Sequence, residues 1–509
     1  MKNYNPLLLI DFYKSTHHEQ YPKGLTKMVS YYTPRMSRLK DVDTITFFGL
    51  QAFIKEYLID GFDTMFFNRP EDEVVAEYER ILDYTLGKGA YESQKIRDLH
   101  KLGYLPLEIS AVPEGVATTV GVPQIEITNT HPDFVWLVNT IETMLSCTMW
   151  HTQVSAEVGK RYRKIVDEYV EKTCDPDIRA ARMLGDFSMR GQHCHESAMK
   201  ASAAWLCSFL NTATVPAILW LEDNYNCDIE KEEVGYGALS FEHSTVTSNY
   251  ALDGNEETLL KRALTEIYPN DNFSFLTDSY DHDNFLKNVI PACKEEILAH
   301  NGTILFRGDS GDPVEVITDM VFALWDIFGG TINEKGYKVL DKHVKAIYGD
   351  SITPQRCEAV YKILEEAGFS IQNVSLGVGS FSFMCLEEFV KTDIWDANGD
   401  PSTETYIHYN PYTRDTFGVA VKATYMEDKD HNPIPIFKNP KEASFKKSQK
   451  GCCSVFLDTK GNFIYEDGMT YAERTADMRN LLEPIFANGK MIKEYTLAEV
   501  RDRLHKGEF

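Results

Sequence analysis

From about residue 178 the chain repeats one pattern: a short apolar run ends in polar or acidic residues, and a helical segment follows. ARMLGDF leads to HESAMKASAAWLCSFL, ALSFEHS is followed by NEETLLKRALTEIY, and FSFLTDSYD precedes DNFLKNVIPACKEEILAH. TILFRGDSGDP then precedes VEVITDMVFALWDIF, VKAIYGDS precedes ITPQRCEAVYKILEEAG, and QNVSLGVGSF closes the series. Strands and helices alternating in this way predict a parallel sheet with crossover helices. Six or more units in roughly 200 residues suit a β/α barrel better than a two-sided open sheet, which stays the alternative.

The chemically useful residues sit at one place in each unit, the C-terminal end of the strand: Asp186, His243, Asp278, Arg307, Asp309 and Asp350. In a β/α barrel those ends converge on one face, where sites are built. Arg307 and Asp309 are alternate residues on one strand end and so face the same pocket. Asp312 and Pro313 read as the entry of the next helix, with proline suited to its first turn. The tripeptide Arg307-Gly308-Asp309 spells an adhesion signal, but the end of a buried strand would not display it.

Elsewhere the texture differs. Residues 105–130, rich in Val, Ile and Thr with Pro and Gly punctuation, read as antiparallel strands. Helical patterns follow at about 132–150 and 152–173. The segment 393–412, DIWDANGDPSTETYIHYNPY, reads as a polar surface excursion, and the tail beyond 400 carries basic elements such as KNPKEASFKKSQKG.

Composition narrows the partners. Lys+Arg 52 against Asp+Glu 77 leaves a formal net charge of −25, which argues against nucleic acid or an anionic membrane, since both need a positive surface. An anionic substrate would need a local basic patch set against that field. Ten cysteines are scattered without zinc-ligand spacing, so reduced thiols are expected. The N-terminal apolar run LLLI is too short for a secretory h-region, and no stretch reaches the roughly 20 apolar residues of a membrane span. A soluble, cytoplasmic, acidic protein is the expectation.

Four local motifs have competing explanations. SLGVGSF, Ser375 to Phe381, places two glycines after an apolar strand, where freed amides cradle phosphate or simply make a tight turn. His243 in FEHSTVTS is a hydrogen-bonding residue, a general base or a phosphoryl acceptor. His193 and His195 hint at a metal, but no further His or Cys completes a set, and a capping or surface role is simpler. Asp278, Asp281 and Asp283 lack the Gly and terminal Glu of a calcium loop, and an N-cap explains the run.

Taken in order, DFYKSTHHEQYP (Asp11 to Pro22), FFGLQ, GDFSMRG, EHST, TDSYD, RGDSGDP, YGDS and TRD followed by Lys422 resemble the nicotinamide phosphoribosyltransferase family, type II phosphoribosyltransferases related to the nicotinate enzymes. The resemblance spans essentially the whole chain, including FANGKMIKEYTLAEVRDRL near the end. It implies an α/β fold: a β/α barrel-like domain at 177–384, and an interleaved α+β domain formed from 1–176 and 385–509, with an insertion near 387–412. The implied reaction joins nicotinamide to 5-phosphoribosyl 1-pyrophosphate, giving nicotinamide mononucleotide and pyrophosphate with Mg²⁺, in NAD salvage. ATP hydrolysis through a phosphohistidine at His243 would stimulate it, and homodimers would share their active sites.

By the same resemblance, Phe187 stacks on the pyridine ring and Tyr13 of the other subunit covers the opposite face. Arg190 and Arg307 lie near base and phosphates, Asp309 and Asp350 hold ribose hydroxyls, and amides near Gly379 and Ser380 hold the 5′-phosphate. Asp11 and Asp278 belong to the substrate-binding set. Arg35, Arg414 and Lys422 match the cations for pyrophosphate and ATP phosphates, while Mg²⁺ arrives with the substrate pyrophosphate and no protein ligand is assigned to it. NTATVPA departs from the family by placing Ala213 where an Asp usually accepts from the carboxamide NH₂. Losing an acceptor for a buried donor costs about 1–3 kcal/mol. A nicotinate-using enzyme is therefore the alternative, and a catalytically silent binding homologue is the second.

Overall fold

Seven short parallel strands occupy the segment that the repeating pattern marks out: β1 (Leu184–Asp186), β2 (Asn211–Thr212), β3 (Leu239–Ser240), β4 (Phe273–Leu276), β5 (Ile304–Gly308), β6 (Val344–Tyr348) and β7 (Val374–Val378). Their spatial order is β2-β1-β7-β6-β5-β4-β3, and every neighbouring pair is parallel. A parallel bridge from Asn211 to Tyr236, just before β3, joins the two edges of the sheet. The sheet therefore curls into a barrel-like form, which leaves fewer unpaired edges than an open sheet. The computed structural model describes residues 4–39, 41–395, 401–442 and 446–507.

The crossover helices are α1 (His195–Trp205), α2 (His243–Asp253), α3 (Glu257–Arg262), α4 (Pro313–Phe328) and α5 (Pro354–Glu366), with short helical turns between His282 and Ala299. Asp312 caps α4 by accepting from the amides of Val314 and Glu315, with Pro313 at the first position, as the sequence predicts. Asp281 likewise caps the turn after β4 by accepting from the Asn284 amide. Helix α2 has no apolar stripe to announce it; its start is made by a capping box between Glu242 and Thr245. Strand β2 is two residues long, too short for any periodicity to show.

Along β5, Ile304, Phe306 and Gly308 are buried while Leu305 and Arg307 are less so, the two-residue period of a pleated strand. A Cβ at Gly308 would lie 2.7 Å from Val316 of α4. The Gly308 side of the strand thus packs on the helix, and Arg307 points the other way. The glycine that makes the adhesion-like tripeptide has a packing reason.

The chain forms two compact units. One comprises 157–220 and 228–411, and the other 1–156, 221–227 and 412–509; the sequence reading sets its boundaries at 176/177 and 384/385. The second unit contains a seven-stranded antiparallel sheet ordered 433–435, 420–428, 25–33, 125–129, 107–111, 483–487, 490–491. Strands from both ends of the chain are interleaved: Leu25–Thr33 lies directly against Ala420–Asp428. At its core the buried pair Glu126 and Arg474 is joined by the Tyr31 hydroxyl, which donates to Glu126 and accepts from the Cys453 amide.

One expectation needs correction. The helical patterns at 132–150 and 152–173 are one helix, Glu142–Thr173, preceded by short turns at Pro132–Phe134 and Leu137–Thr140. Nothing in WHTQV carries a proline or glycine to break it. The polar segment 393–412 falls within a separate two-stranded ribbon, in which Cys385–Trp395 pairs antiparallel with Pro401–Pro411. Thr, Tyr and Ile along TETYIHY favour that extended state. Residues 396–400 of the segment lie outside those described. Among the described residues, no helix is long and apolar enough to cross a membrane.

Candidate active site

Four of the strand-end residues meet in one cluster. Arg307 donates from a terminal guanidinium nitrogen to Asp309 Oδ2 at 3.0 Å. His243 Nε2 stands 3.6 Å from the same oxygen and 4.0 Å from Asp278 Oδ1. The Asp309 amide donates to Asp278 Oδ2 at 3.2 Å, which ties the ends of β4 and β5 together. Asp278 and Asp309 thus present two carboxylates to one imidazole. His243 is the first residue of α2, and its Nδ1 lies 3.3 Å from Ser279 Oγ.

Several polar atoms of this cluster are buried without a hydrogen-bond partner: Asp278 Oδ1, Asp309 Oδ1 and Arg307 Nε. Orphaned polar atoms cost free energy unless something satisfies them, so their presence in a strand-end cluster marks a place for a ligand.

Glycines make the cluster possible. A Cβ at Gly349 would fall 2.3 Å from both Arg307 Nε and Asp309 Oδ1, so no other residue fits at the end of β6 without moving them. Cβ atoms at Gly185 and Gly377 would come within 3.3 and 2.7 Å of the Phe187 ring. Phe187 therefore lies against bare backbone of β1 and β7, with the Arg307 guanidinium 6.0 Å from its centroid. At the end of β7 a Cβ on Gly379 would overlap Asp350 Oδ1, and one on Gly191 would overlap Ser380 Oγ. Asp350 thus packs on Gly379, and Ser380 on the GDFSMRG loop. Asp350 also accepts from the amide of Ser351, a left-handed residue with φ 61°.

Other strand-end residues serve differently. Asp186 is fully buried and spent locally, accepting from the Ser188 amide and from the hydroxyls of Thr212 and Thr214. It braces the loops after β1 and β2. Ala213 is exposed, its amide donating to the Asp186 carbonyl. Arg190 is exposed, and its charge helps hold the Glu242 carboxyl below its ordinary range, after the hydrogen bonds from Ser244. His193 and His195 are exposed at the start of α1. Among the described residues, no group of three or more His, Cys, Asp or Glu is placed to hold a metal ion.

The remaining candidates lie in the other unit. Tyr13, 60% exposed, donates to Asp11 Oδ2 at 3.1 Å, and Thr143 donates to the same oxygen at 2.7 Å. Asp11, Tyr13, Glu142, Thr143, Trp150 and Arg414 line a cavity of about 190 Å³. Arg35 is held by the Gly418 carbonyl at 2.8 Å, and burial together with the Arg414 charge lowers its affinity for its proton. Burial also lowers Lys422, which feels Glu142 and the cations Lys438, Arg35 and Lys14.

Gly349, Ser279 and Thr277, whose hydroxyl donates to the Arg307 carbonyl at 2.9 Å, were missed by the sequence reading. Gly349 and Ser279 stand inside motifs already picked out, YGDS and TDSYD. Glu142 and Trp150 had no signal, being ordinary positions on a long helix.

Comparison with solved structures places this fold. A nicotinate-nucleotide pyrophosphorylase from Pyrococcus furiosus superposes with a TM-score of 0.56 at 14% identity, covering 99% of this chain and 95% of its own. Human nicotinic acid phosphoribosyltransferase gives 0.52 at 16%, covering 97% and 93%. Residues 183–391 match the nicotinate phosphoribosyltransferase (NAPRTase) family, and residues 5–83 match the N-terminal domain of nicotinamide phosphoribosyltransferase. The barrel-like sheet lies within the span that matches this family and is that of a phosphoribosyltransferase. A nicotinamide phosphoribosyltransferase from Acinetobacter baylyi is 35% identical over 98% of this chain and 97% of its own, and one from Xanthomonas campestris 30% identical over the same shares. The chain belongs to the nicotinamide phosphoribosyltransferase family.

Proposed function

We propose that this enzyme of NAD salvage transfers the phosphoribosyl group of 5-phosphoribosyl 1-pyrophosphate to nicotinamide, and that ATP drives it through a phosphohistidine at His243. The observation that carries this reading is the cluster itself: an imidazole at a helix N-terminus, held against Asp278 and Asp309 beside Arg307. In the transfer, the pyridine nitrogen forms a bond to ribose C1 as the bond from C1 to pyrophosphate oxygen breaks. Positive charge develops on the ribose, and Asp309 and Asp350 would hold its hydroxyls. Arg307 and Arg190 would sit near the base and phosphates, with the amides near Gly379 and Ser380 on the 5′-phosphate. In the coupled step a ring nitrogen of His243 takes the γ-phosphoryl group of ATP, ADP leaves, and water later releases phosphate. The N-terminus of α2 favours the anionic phosphoryl group.

Mg²⁺ would arrive on the pyrophosphate. The orphaned oxygens Asp278 Oδ1 and Asp309 Oδ1 are hard donors of the kind that suit it, and no third carboxylate closes a dedicated cage among the described residues. When bound, the ion would neutralise the departing pyrophosphate. We further propose a homodimer, working in the cytoplasm, in which Tyr13, Arg35, Arg414 and Lys422 of a second protomer complete each site. The exposure of Phe12 (51%) and Tyr13 supports this.

Phe187→Ala should raise KM for the base about threefold to tenfold, the scale of one lost aromatic pair, and lower kcat less; steady-state kinetics at saturating phosphoribosyl donor read this split. Nicotinate is the second reading, favoured by Ala213, which offers no side-chain acceptor to a carboxamide and no negative charge to repel a carboxylate. Assays with both bases, with and without ATP, decide between them. We expect faster turnover with nicotinamide; faster turnover with nicotinate would overturn the choice of base, and no mononucleotide from either would leave a silent homologue.

A further inference from the structure

The ladder between β6 and β7 stops at Tyr348 and Leu376, so the loops beyond it need other ties. One loop carries Asp350, and the other carries Gly379 and Ser380. Both are bonded to Tyr162, a fully buried residue of the long helix Glu142–Thr173. Its hydroxyl donates to the Ile352 carbonyl at 2.6 Å and lies 2.8 Å from Ser382 Oγ. A carbonyl only accepts, so the phenolic proton belongs to Ile352, and Ser382 donates to the phenolic oxygen. One oxygen thus ties two loops, each at a residue two positions beyond a candidate site group. Ile352 is fully buried and Ser382 is 5% exposed, so these bonds are shielded from water.

The loop after β6 needs such a tie. Ser351 holds a left-handed φ of 61°, a conformation that residues other than glycine keep only where their surroundings impose it. The Ser351 carbonyl accepts from Arg356 at 2.8 Å, and Thr353 donates to the buried Glu387 at 2.7 Å. Tyr162 grips the residue between them. Its ring is itself fixed, since Trp205 of α1 stands edge-on to it at 5.7 Å and to Phe383, next to Ser382, at 6.0 Å. Asp350 meanwhile packs on Gly379, where a Cβ would overlap its carboxylate, and a small separation of the two loops would open that contact. We propose that Tyr162 is a positioning residue: its hydroxyl sets the spacing of the Asp350 and Gly379–Ser380 loops, so that both grip one ribose 5-phosphate group. This role rests on the reading that gives the ribose hydroxyls to Asp350 and the 5′-phosphate to the amides near Gly379 and Ser380. Being buried, Tyr162 acts through the loops and not on the substrate.

Tyr162→Phe removes the hydroxyl, keeps the ring and supplies the test. KM for the phosphoribosyl donor should rise about threefold to tenfold, the scale of one buried hydrogen bond. KM for the base and kcat should change less than about twofold, the signature of lost donor binding. Calorimetry with ribose 5-phosphate alone, which has neither base nor pyrophosphate, should show the same loss of affinity as the donor. Thr173→Val is the structural control. It removes a buried hydroxyl at the end of the same helix, one that accepts from the Ile371 amide at 3.1 Å just before β7. It should lower the thermal midpoint and leave the donor KM and the ribose 5-phosphate affinity as in wild type. A folded Tyr162→Phe with wild-type values of both would overturn the proposal. An equal loss in Thr173→Val would overturn it too, because the effect would then be one of general stability. Asp350→Ala tells the two failures apart: wild-type affinity for ribose 5-phosphate in that variant means the ribose assignment has failed, and this role with it. Should Tyr162→Phe not fold, Ser382→Ala keeps the bond to Ile352 and frees the other loop. It is expected to show the same split between donor and base, and an unchanged donor KM there refutes the proposal.

Discussion

Asp309→Ala is expected to lose about 100-fold in kcat/KM, the scale that follows when reacting groups are misplaced by about an ångström. The carboxylate is the node of the cluster. It accepts from Arg307 at 3.0 Å, faces His243 at 3.6 Å, and its own amide binds Asp278. Removing it leaves a guanidinium, 13% exposed, without the carboxylate that balances its charge. Arg307 would no longer be held over Phe187, and the proposed ribose acceptor would be gone. Asp309→Asn, which keeps shape but not charge, should recover part of the loss. The check is steady-state kinetics beside a thermal melt that shows both variants folded. A folded alanine variant with wild-type kcat/KM would falsify the assignment.

His243→Ala should abolish the stimulation by ATP while transfer without ATP persists. The geometry separates the two demands. Arg307 and Asp309 are bonded to each other directly, so the pair does not need the imidazole to hold its shape. His243 instead stands on α2, a different element, set by the Glu242 and Thr245 capping box. Radiolabelled γ-phosphate should appear on the wild-type chain as an acid-labile adduct and be absent from the variant. Unchanged ATP dependence would remove His243 from the coupled step.

The fold class was legible because its signals are local. Each apolar run of β1 and β3 through β7 ends in a polar residue and hands over to helix, and that alternation implies parallel strands whatever the rest of the chain does. Asp281 and Asp312 were readable as caps for the same reason, since a cap bonds only to amides two or three residues away. Strand β2 and the single helix Glu142–Thr173 were not legible: two residues carry no period, and a long helix is distinguished from two short ones only by the absence of a break.

By itself the sequence determined the alternating architecture and which residues stand at strand ends, because period, caps and punctuation act over a few positions. Only the tertiary structure decided what each of those residues does. Asp186 and Asp309 look alike in sequence, yet one is consumed by Thr212, Thr214 and Ser188 while the other keeps a buried oxygen unpaired. Gly349 reads as a turn residue until the Arg307 and Asp309 side chains are seen to occupy the space its Cβ would need. Hydrogen-bond satisfaction, close contact and charge compensation are properties of neighbours in space, and the chain's order does not list those neighbours.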